Sequence, residues 1–152
     1  MKLLILILTL TLTTNLYSQF NTGIGVGWSS KKSAILDLHA GYQIEQDFAK
    51  NVFFQGGFLS HISRQTDKGT IFNLTGGYNF ILDDNENWSL QPAIGYYFHL
   101  KTTDDKLKNT SGLITSVYLL RYFREDGQIF LSTSLADKIF LTSFGCRFIL
   151  KK

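Results

Sequence analysis

Three histidines are the residues of this chain best suited to metal binding or acid–base chemistry. They are His39, His61 and His99, and each falls on the polar side of a segment in which apolar and polar residues alternate. Three imidazoles can hold a zinc ion if their nitrogens converge. His39 lies in the middle of its segment, however, whereas the other two lie near segment ends. We therefore predict hydrogen-bonded histidines, with no metal site and no other cofactor.

The alternation that positions these histidines is the main structural signal of the chain. Its clearest segment begins at Trp88, where Trp88, Ile94 and Phe98 share one face and Gln91 and His99 share the other. This two-residue period is that of a β-strand with one apolar face. The same test predicts eight strands, at residues 19–30, 34–45, 51–63, 70–82, 88–100, 112–123, 128–136 and 139–150.

The composition excludes several classes of protein. Of the 152 residues, 18% are charged, below the roughly 25% that is usual in soluble domains, and 44% are hydrophobic, which excludes a disordered chain. One cysteine cannot form an internal disulfide. The net charge of +3 is not concentrated in any basic run, so we expect no nucleic-acid partner.

The first 18 residues have the composition of an export signal. Lys2 supplies a positive charge, residues 3–12 are apolar apart from threonines, and the segment ends at the small residue Ser18. The apolar run is shorter than the roughly 20 residues that a membrane-spanning helix needs. We predict a cleaved signal peptide over residues 1–18 and a single β-barrel domain over residues 19–152.

The placement of charge favours a membrane barrel. Short polar connections join the eight strands as an antiparallel meander, and strands of this length suit a tilted membrane crossing. Asp37, Arg121 and Arg147 are the charges inside the strands, and we assign all three to the face opposite the aromatic one. We predict an all-β, eight-stranded antiparallel up-and-down transmembrane β-barrel. A soluble periplasmic lipocalin-like ligand-binding barrel is the alternative.

The last strand carries a family resemblance. Ser143, Gly145, Phe148 and Leu150 are spaced as in the C-terminal β-signal of outer-membrane barrels. With the signal peptide and eight strands, the chain resembles the small OmpA-like and OmpX-like barrels. The resemblance implies the outer membrane of a Gram-negative bacterium, the barrel-assembly machinery as a partner, and both termini in the periplasm. We expect a monomer.

With that orientation, the outer connections are cationic. They hold eight Lys and Arg residues against four Asp residues, a balance that the phosphates of lipopolysaccharide would attract. We therefore expect outer-membrane lipid, including lipopolysaccharide, as a partner. Among the outer connections, Lys101 to Ser111 is predicted to be the only one long enough to extend far from the membrane.

An eight-stranded barrel is narrow enough for its own side chains to fill, so we predict no conducting pore. Inside it we expect Glu45 to pair with Arg147, with Arg121 nearby. Pairing the second and third strands about Phe48 sets Asp37 opposite Leu59 and diagonal to His61, so we expect Asp37 to pair with His61 towards the outer end. The alternative is that water solvates each charge separately. The predicted lumen polar cluster comprises Asp37, His39, Glu45, His61, His99, Arg121 and Arg147.

His61 and Ser63 give the only catalytic alternative. Two residues apart on one strand face near the outer rim, they resemble the His-x-Ser of outer-membrane lipid A deacylases, in which a histidine activates the serine. Arg64 stands where that family usually has Asn, and the motif lies in the third strand rather than late in the chain. We predict no catalysis and a structural, membrane-integrity or surface-interaction role. A lipid A modifying hydrolase is the alternative.

Overall fold

The computed structural model describes residues 18–30, 33–44, 51–61, 68–85, 87–103, 106–136 and 138–150. The predictions for the signal peptide before Ser18, for Glu45 and for Ser63 lie outside these residues. None of the described residues belongs to a helix long and apolar enough to cross a membrane.

The described residues form one closed antiparallel sheet. Its segments are β1 (Ser18–Ser29), β2 (Ala34–Ile44), β3 (Val52–His61), β4 (Lys68–Tyr78), β5 (Phe80–Ile81), β6 (Trp88–Thr103), β7 (Lys106–Arg124), β8 (Gly127–Ala136) and β9 (Ile139–Leu150). β4 and β5 do not pair with each other; both pair with β6, as two parts of one barrel strand separated at Asn79. Every other segment pairs with its neighbours along the chain, and β9 pairs with β1, so the barrel has eight strands and the predicted fold class is confirmed.

The two ends of the barrel are formed by different elements. The terminal end holds the start of β1 and the end of β9, and the far end holds the β6–β7 hairpin. That hairpin is longer than predicted, because β6 and β7 stay paired as far as Thr103 and Lys106. The expected loop from Lys101 to Ser111 is therefore mostly strand. The charged residues of this hairpin end the apolar part of β6 and β7, but the two strands continue beyond it.

Large apolar side chains form a belt around the outside of the barrel. They alternate with buried residues along each strand, so that Ile94 is 60% exposed while its neighbour Ala93 is buried. Such a belt matches the lipid-facing surface of transmembrane barrels. The outward-facing residues predicted for the segment starting at Trp88 are confirmed, because Trp88, Ile94, Tyr96 and Phe98 are all exposed.

Arg121 lies on the outer face, so its predicted place in the lumen is wrong. β7 is apolar on both faces, and the sequence prediction took the face with Tyr118 as outward. In the sheet, Tyr118 and Leu120 are buried in the lumen, which turns Arg121 outward near the terminal end. Its guanidinium carbon lies 5.2 Å from the centre of the Trp88 ring, on the neighbouring strand.

Candidate functional site in the lumen

The lumen has three layers between the far end and the terminal end. Nearest the far end lies an apolar layer, here called the far cluster, formed by Ile35, Leu59, Ile71, Tyr97, Ile114, Ala136, Ile139 and Leu141. In the middle lies a hydrogen-bonded layer centred on Arg147, here called the Arg147 network. At the terminal end lies a cavity of about 720 Å³, here called the terminal cavity.

Arg147 is the centre of the middle layer and is only 2% exposed. Its two terminal nitrogens donate to the side-chain oxygens of Gln91 and Gln55, each at 2.9 Å. Its Nε donates to Nε2 of His39 at 3.3 Å. The guanidinium carbon also lies 5.4 Å from the centre of the Tyr118 ring. A buried arginine is costly without partners, and these contacts supply them from four different strands.

His39 connects the buried cation to the buried anion. Because Nε2 accepts from Arg147, the ring proton lies on Nδ1, which donates to Oδ1 of Asp37 at 3.2 Å. Gly23 leaves room for this ring, since a Cβ there would lie 2.2 Å from Nε2. Gly57, directly opposite His39 on β3, makes room instead for Asn73, whose amide would lie 2.8 Å from a Cβ there. In this network the neutral imidazole of His39 lies between the positive charge of Arg147 and the negative charge of Asp37.

Serine hydroxyls extend the network along the barrel wall. Ser143 donates to the second carboxylate oxygen of Asp37 and shares a hydrogen bond with Ser132 at 2.6 Å. Ser116 and Ser134 share another at 2.8 Å. These hydroxyls are buried and paired, as buried polar groups normally are. The middle layer is therefore a hydrogen-bonded plug.

The predicted partners within the lumen need correction. Asp37 does lie opposite Leu59, as the sequence register requires, but its partners are His39 and Ser143 rather than His61. Residues two apart on one strand face the same side, and Gly23 beside His39 lets its ring turn towards Asp37. With Arg121 outside the barrel, Arg147 is the arginine of the middle layer, and Arg124 lines the terminal cavity.

The histidines do not converge on a metal. His61 and His99 lie together near the far end, with ring centres 6.3 Å apart. His39 lies opposite Gly57, four residues along β3 from His61, which is about 13 Å of strand. Within the described ranges, no group of three or more His, Cys, Asp and Glu residues is placed to hold a metal ion.

The terminal cavity is the part of the lumen that sequence analysis missed. Its walls are mainly polar and include Asn79, whose Oδ1 accepts from Gln91 Nε2 at 3.2 Å. Gln91 also binds Arg147, so the cavity floor is continuous with the Arg147 network. The sequence feature that could have indicated it is a set of Asn and Gln residues at inward positions near strand ends, such as Gln19, Gln43 and Asn87.

The residues of the predicted assembly signal occupy both faces of β9. Phe148 and Leu150 are exposed in the apolar belt, whereas Ser143 is buried in the Arg147 network. A Cβ on Gly145 would lie 2.1 Å from the backbone oxygen of Ile24, so β1 and β9 approach too closely there for a side chain. Gly145 therefore has a structural role in closing the barrel, beside the predicted one in assembly.

No protein-family model matches the chain, and no curated protein sequence matches it either. Several solved structures match its fold. A de novo designed transmembrane β-barrel is 12% identical, with a TM-score of 0.60 over 90% of this chain and 98% of that chain. Ail, the attachment invasion locus protein of Yersinia pestis, solved with the heparin analogue sucrose octasulfate, is 14% identical. Its TM-score is 0.58, over 88% of this chain and 97% of that chain.

The chain has the fold of a small transmembrane β-barrel. The outer-membrane enzyme PagL matches as well, at 10% identity and a TM-score of 0.51 over 87% of this chain and 99% of that chain. An attachment protein, an enzyme and a designed barrel thus share this architecture. The likeness extends to the fold alone, because one fold supports unrelated activities.

Proposed function

We propose that the protein is a non-catalytic outer-membrane barrel that contributes to membrane integrity or to interactions at the cell surface. The observation that carries the proposal is a barrel with an apolar outer belt and a lumen blocked by its own side chains in the middle and towards the far end. Arg147, fully buried and bonded to three neighbours, fills the middle of the space that a channel would need. A barrel built in this way is a rigid membrane-embedded scaffold.

Membrane fractionation tests the location. Expressed in a Gram-negative host, the protein should sediment with the outer membrane on a density gradient and resist extraction by carbonate. It should also run faster on a gel before heating than after, because a closed barrel stays folded in unheated detergent. Release into the soluble periplasmic fraction would instead favour the lipocalin-like alternative.

A test of assembly uses the last strand. Phe148 is exposed in the belt, so replacing it should cost the folded barrel little packing. Phe148→Ala should nevertheless lower the amount of barrel in the outer membrane several-fold, while the purified variant still refolds in detergent. Phe144→Ala is the matched control, since Phe144 is equally exposed on the same strand but lies outside the signal positions. Equal cellular levels of the two variants would contradict a role for Phe148 in assembly.

Lipid A analysis tests the absence of catalysis. Of the two residues of the catalytic alternative, the structure describes His61, which lies beside His99 at the far end of the lumen. Mass spectra of lipid A should be the same in cells that express the wild-type chain, Ser63→Ala or no barrel. Loss of an acyl chain with the wild-type protein, abolished by Ser63→Ala, would establish the hydrolase instead.

A role in integrity predicts a phenotype. Cells that lose the protein should become more sensitive to bile salts and to large antibiotics, and wild-type or Ser63→Ala protein should restore resistance equally. Full resistance without the protein would remove the integrity role and leave surface interaction. Binding of purified lipopolysaccharide, measured at low and high salt, tests the partner expected from the cationic outer connections.

A further inference from the structure

We propose that the terminal cavity binds a neutral, hydroxyl-rich saccharide, a function that goes beyond the structural role proposed above. The cavity volume of about 720 Å³ lies within the range of about 300 to 1,000 Å³ that is typical of small-molecule sites. Six carboxamide side chains contribute to its lining, and they come from both sides of the barrel end. They are Gln19, Gln43, Asn51, Asn79, Asn85 and Asn87.

The carboxamides determine the class of ligand. Each offers two N–H donors and a carbonyl acceptor, and each sugar hydroxyl can both donate and accept. The charged residues among the described lining are Arg124 and Glu125, which are adjacent and opposite in sign. A phosphate or an amine would therefore find no net countercharge in this lining. A neutral ligand with many hydroxyls matches it.

The buried hydroxyl of Ser89 points most directly to a ligand in the terminal cavity. It lines the cavity, is only 2% exposed, and its Oγ has no hydrogen-bond partner in the described part of the chain. The lumen serines Ser116, Ser132 and Ser143 all have partners. A buried hydroxyl left without a partner is destabilising, and a hydroxyl group of a ligand would satisfy it.

The cavity walls are fixed before any ligand binds. The backbone nitrogen of Asn79 donates to the oxygen of Asn51 at 2.8 Å, and that of Tyr122 donates to the oxygen of Asn87 at 2.8 Å. These bonds hold amide residues of different strands in place at the rim. Tyr122 and Ile149 add apolar surface against which the C–H faces of a sugar ring can pack. A site held in this way loses little conformational entropy on binding.

Titration with trisaccharides tests the proposal. The barrel is purified in an amine-oxide detergent, because detergents with sugar head groups would compete, and side-chain amide resonances are followed by NMR. Chitotriose and maltotriose are the neutral probes, and the trimer of glucosamine is a cationic probe of the same length. We expect saturable shifts of Asn and Gln side-chain signals with at least one neutral probe, and weaker or no shifts with the cationic one.

Two serine variants separate binding from stability. Ser89→Ala should weaken binding of the neutral probe about fivefold to tenfold, the value of one hydrogen bond, and should not lower stability because no described residue loses a partner. Ser116→Ala, the matched control, should bind normally but unfold more easily, because Ser134 loses its partner. If Ser89→Ala fails to fold, Gln43→Leu at the cavity wall provides the same test.

Three results would overturn the proposal. They are the absence of binding by both neutral trisaccharides, equal binding by wild-type and cavity variants, and binding of the cationic trimer as tight as that of its neutral counterpart. The first would mean that only water occupies the cavity. None of the three bears on the proposed structural role, which needs no ligand.

Discussion

The two halves of the lumen are sealed by different means. The far half is closed by the far cluster, which packs apolar side chains such as Ile114 and Ile71 at 1% exposure, as in the core of a soluble protein. The terminal half opens to a cavity with mainly polar walls, and the Arg147 network forms its floor, with Tyr118, Leu120 and Phe130 as a small apolar cluster packed against it. The difference shows that a narrow barrel can be closed by packing on one side and by hydrogen bonding on the other.

The largest expected effect is at the boundary between the halves. Arg147→Met should lower the free energy of unfolding by about 3 to 5 kcal/mol, because it leaves the Asp37 carboxylate buried without its countercharge. The double variant Arg147→Met with Asp37→Asn should lose less than the single variant. Urea unfolding of the barrel in lipid vesicles measures both.

The matched comparison uses the other partners of the guanidinium. Gln91→Leu removes one acceptor from Arg147 without leaving a charge unpaired, so its cost should be smaller than that of Arg147→Met.

If the losses from Arg147→Met and Asp37→Asn simply added in the double variant, the charges would be solvated separately, and the network would not act as a unit.

In the far half, Ile114→Ala should cost about 2 to 5 kcal/mol, because it opens a cavity in a packed apolar layer. In the terminal half, Ser89→Ala should cost nothing measurable, since its hydroxyl bonds to no described residue. Both side chains are buried to the same degree, at 1% and 2% exposure. Equal losses of stability from the two variants would remove the distinction between the halves.

A much smaller effect than at Arg147 is expected at Arg121, on the outer face. Arg121 is exposed and contacts the face of Trp88, an interaction worth less than about 1 kcal/mol at an exposed site. Arg121→Met should therefore change the urea midpoint only slightly, in contrast to Arg147→Met. A loss as large as that of Arg147→Met would mean that Arg121 bears on the lumen after all.

The sequence predicted those features that strict alternation determines. The eight strands, the lipid-facing residues of β6 and the register that sets Asp37 opposite Leu59 are confirmed. Alternation could not orient β7, because Val117 and Leu119 on one face are as apolar as Ile114 and Leu120 on the other. Pairing with β6 and β8 decides that orientation, and no residue of β7 alone reports it.

The partners within the lumen were also beyond the sequence. Sequence register gives the residue opposite Asp37, but the ring of His39 turns back along its own strand because Gly23 leaves space beside it. The terminal cavity arises from the way strand ends close around a volume, which no local pattern describes. The predicted pairing of Glu45 with Arg147 and the role of Ser63 concern residues outside those described, and they stay predictions.

Single-channel recording tests the central claim that the lumen is sealed. Purified wild-type barrel inserted into a planar lipid bilayer should show no stable conductance steps at neutral pH in molar potassium chloride. The variant Arg147→Ala, combined with Ile114→Ala, should conduct, because it thins the Arg147 network and the far cluster together. Steady conductance of the wild-type barrel, unchanged in this variant, would contradict a sealed lumen, because ions would then pass through the far cluster and the Arg147 network.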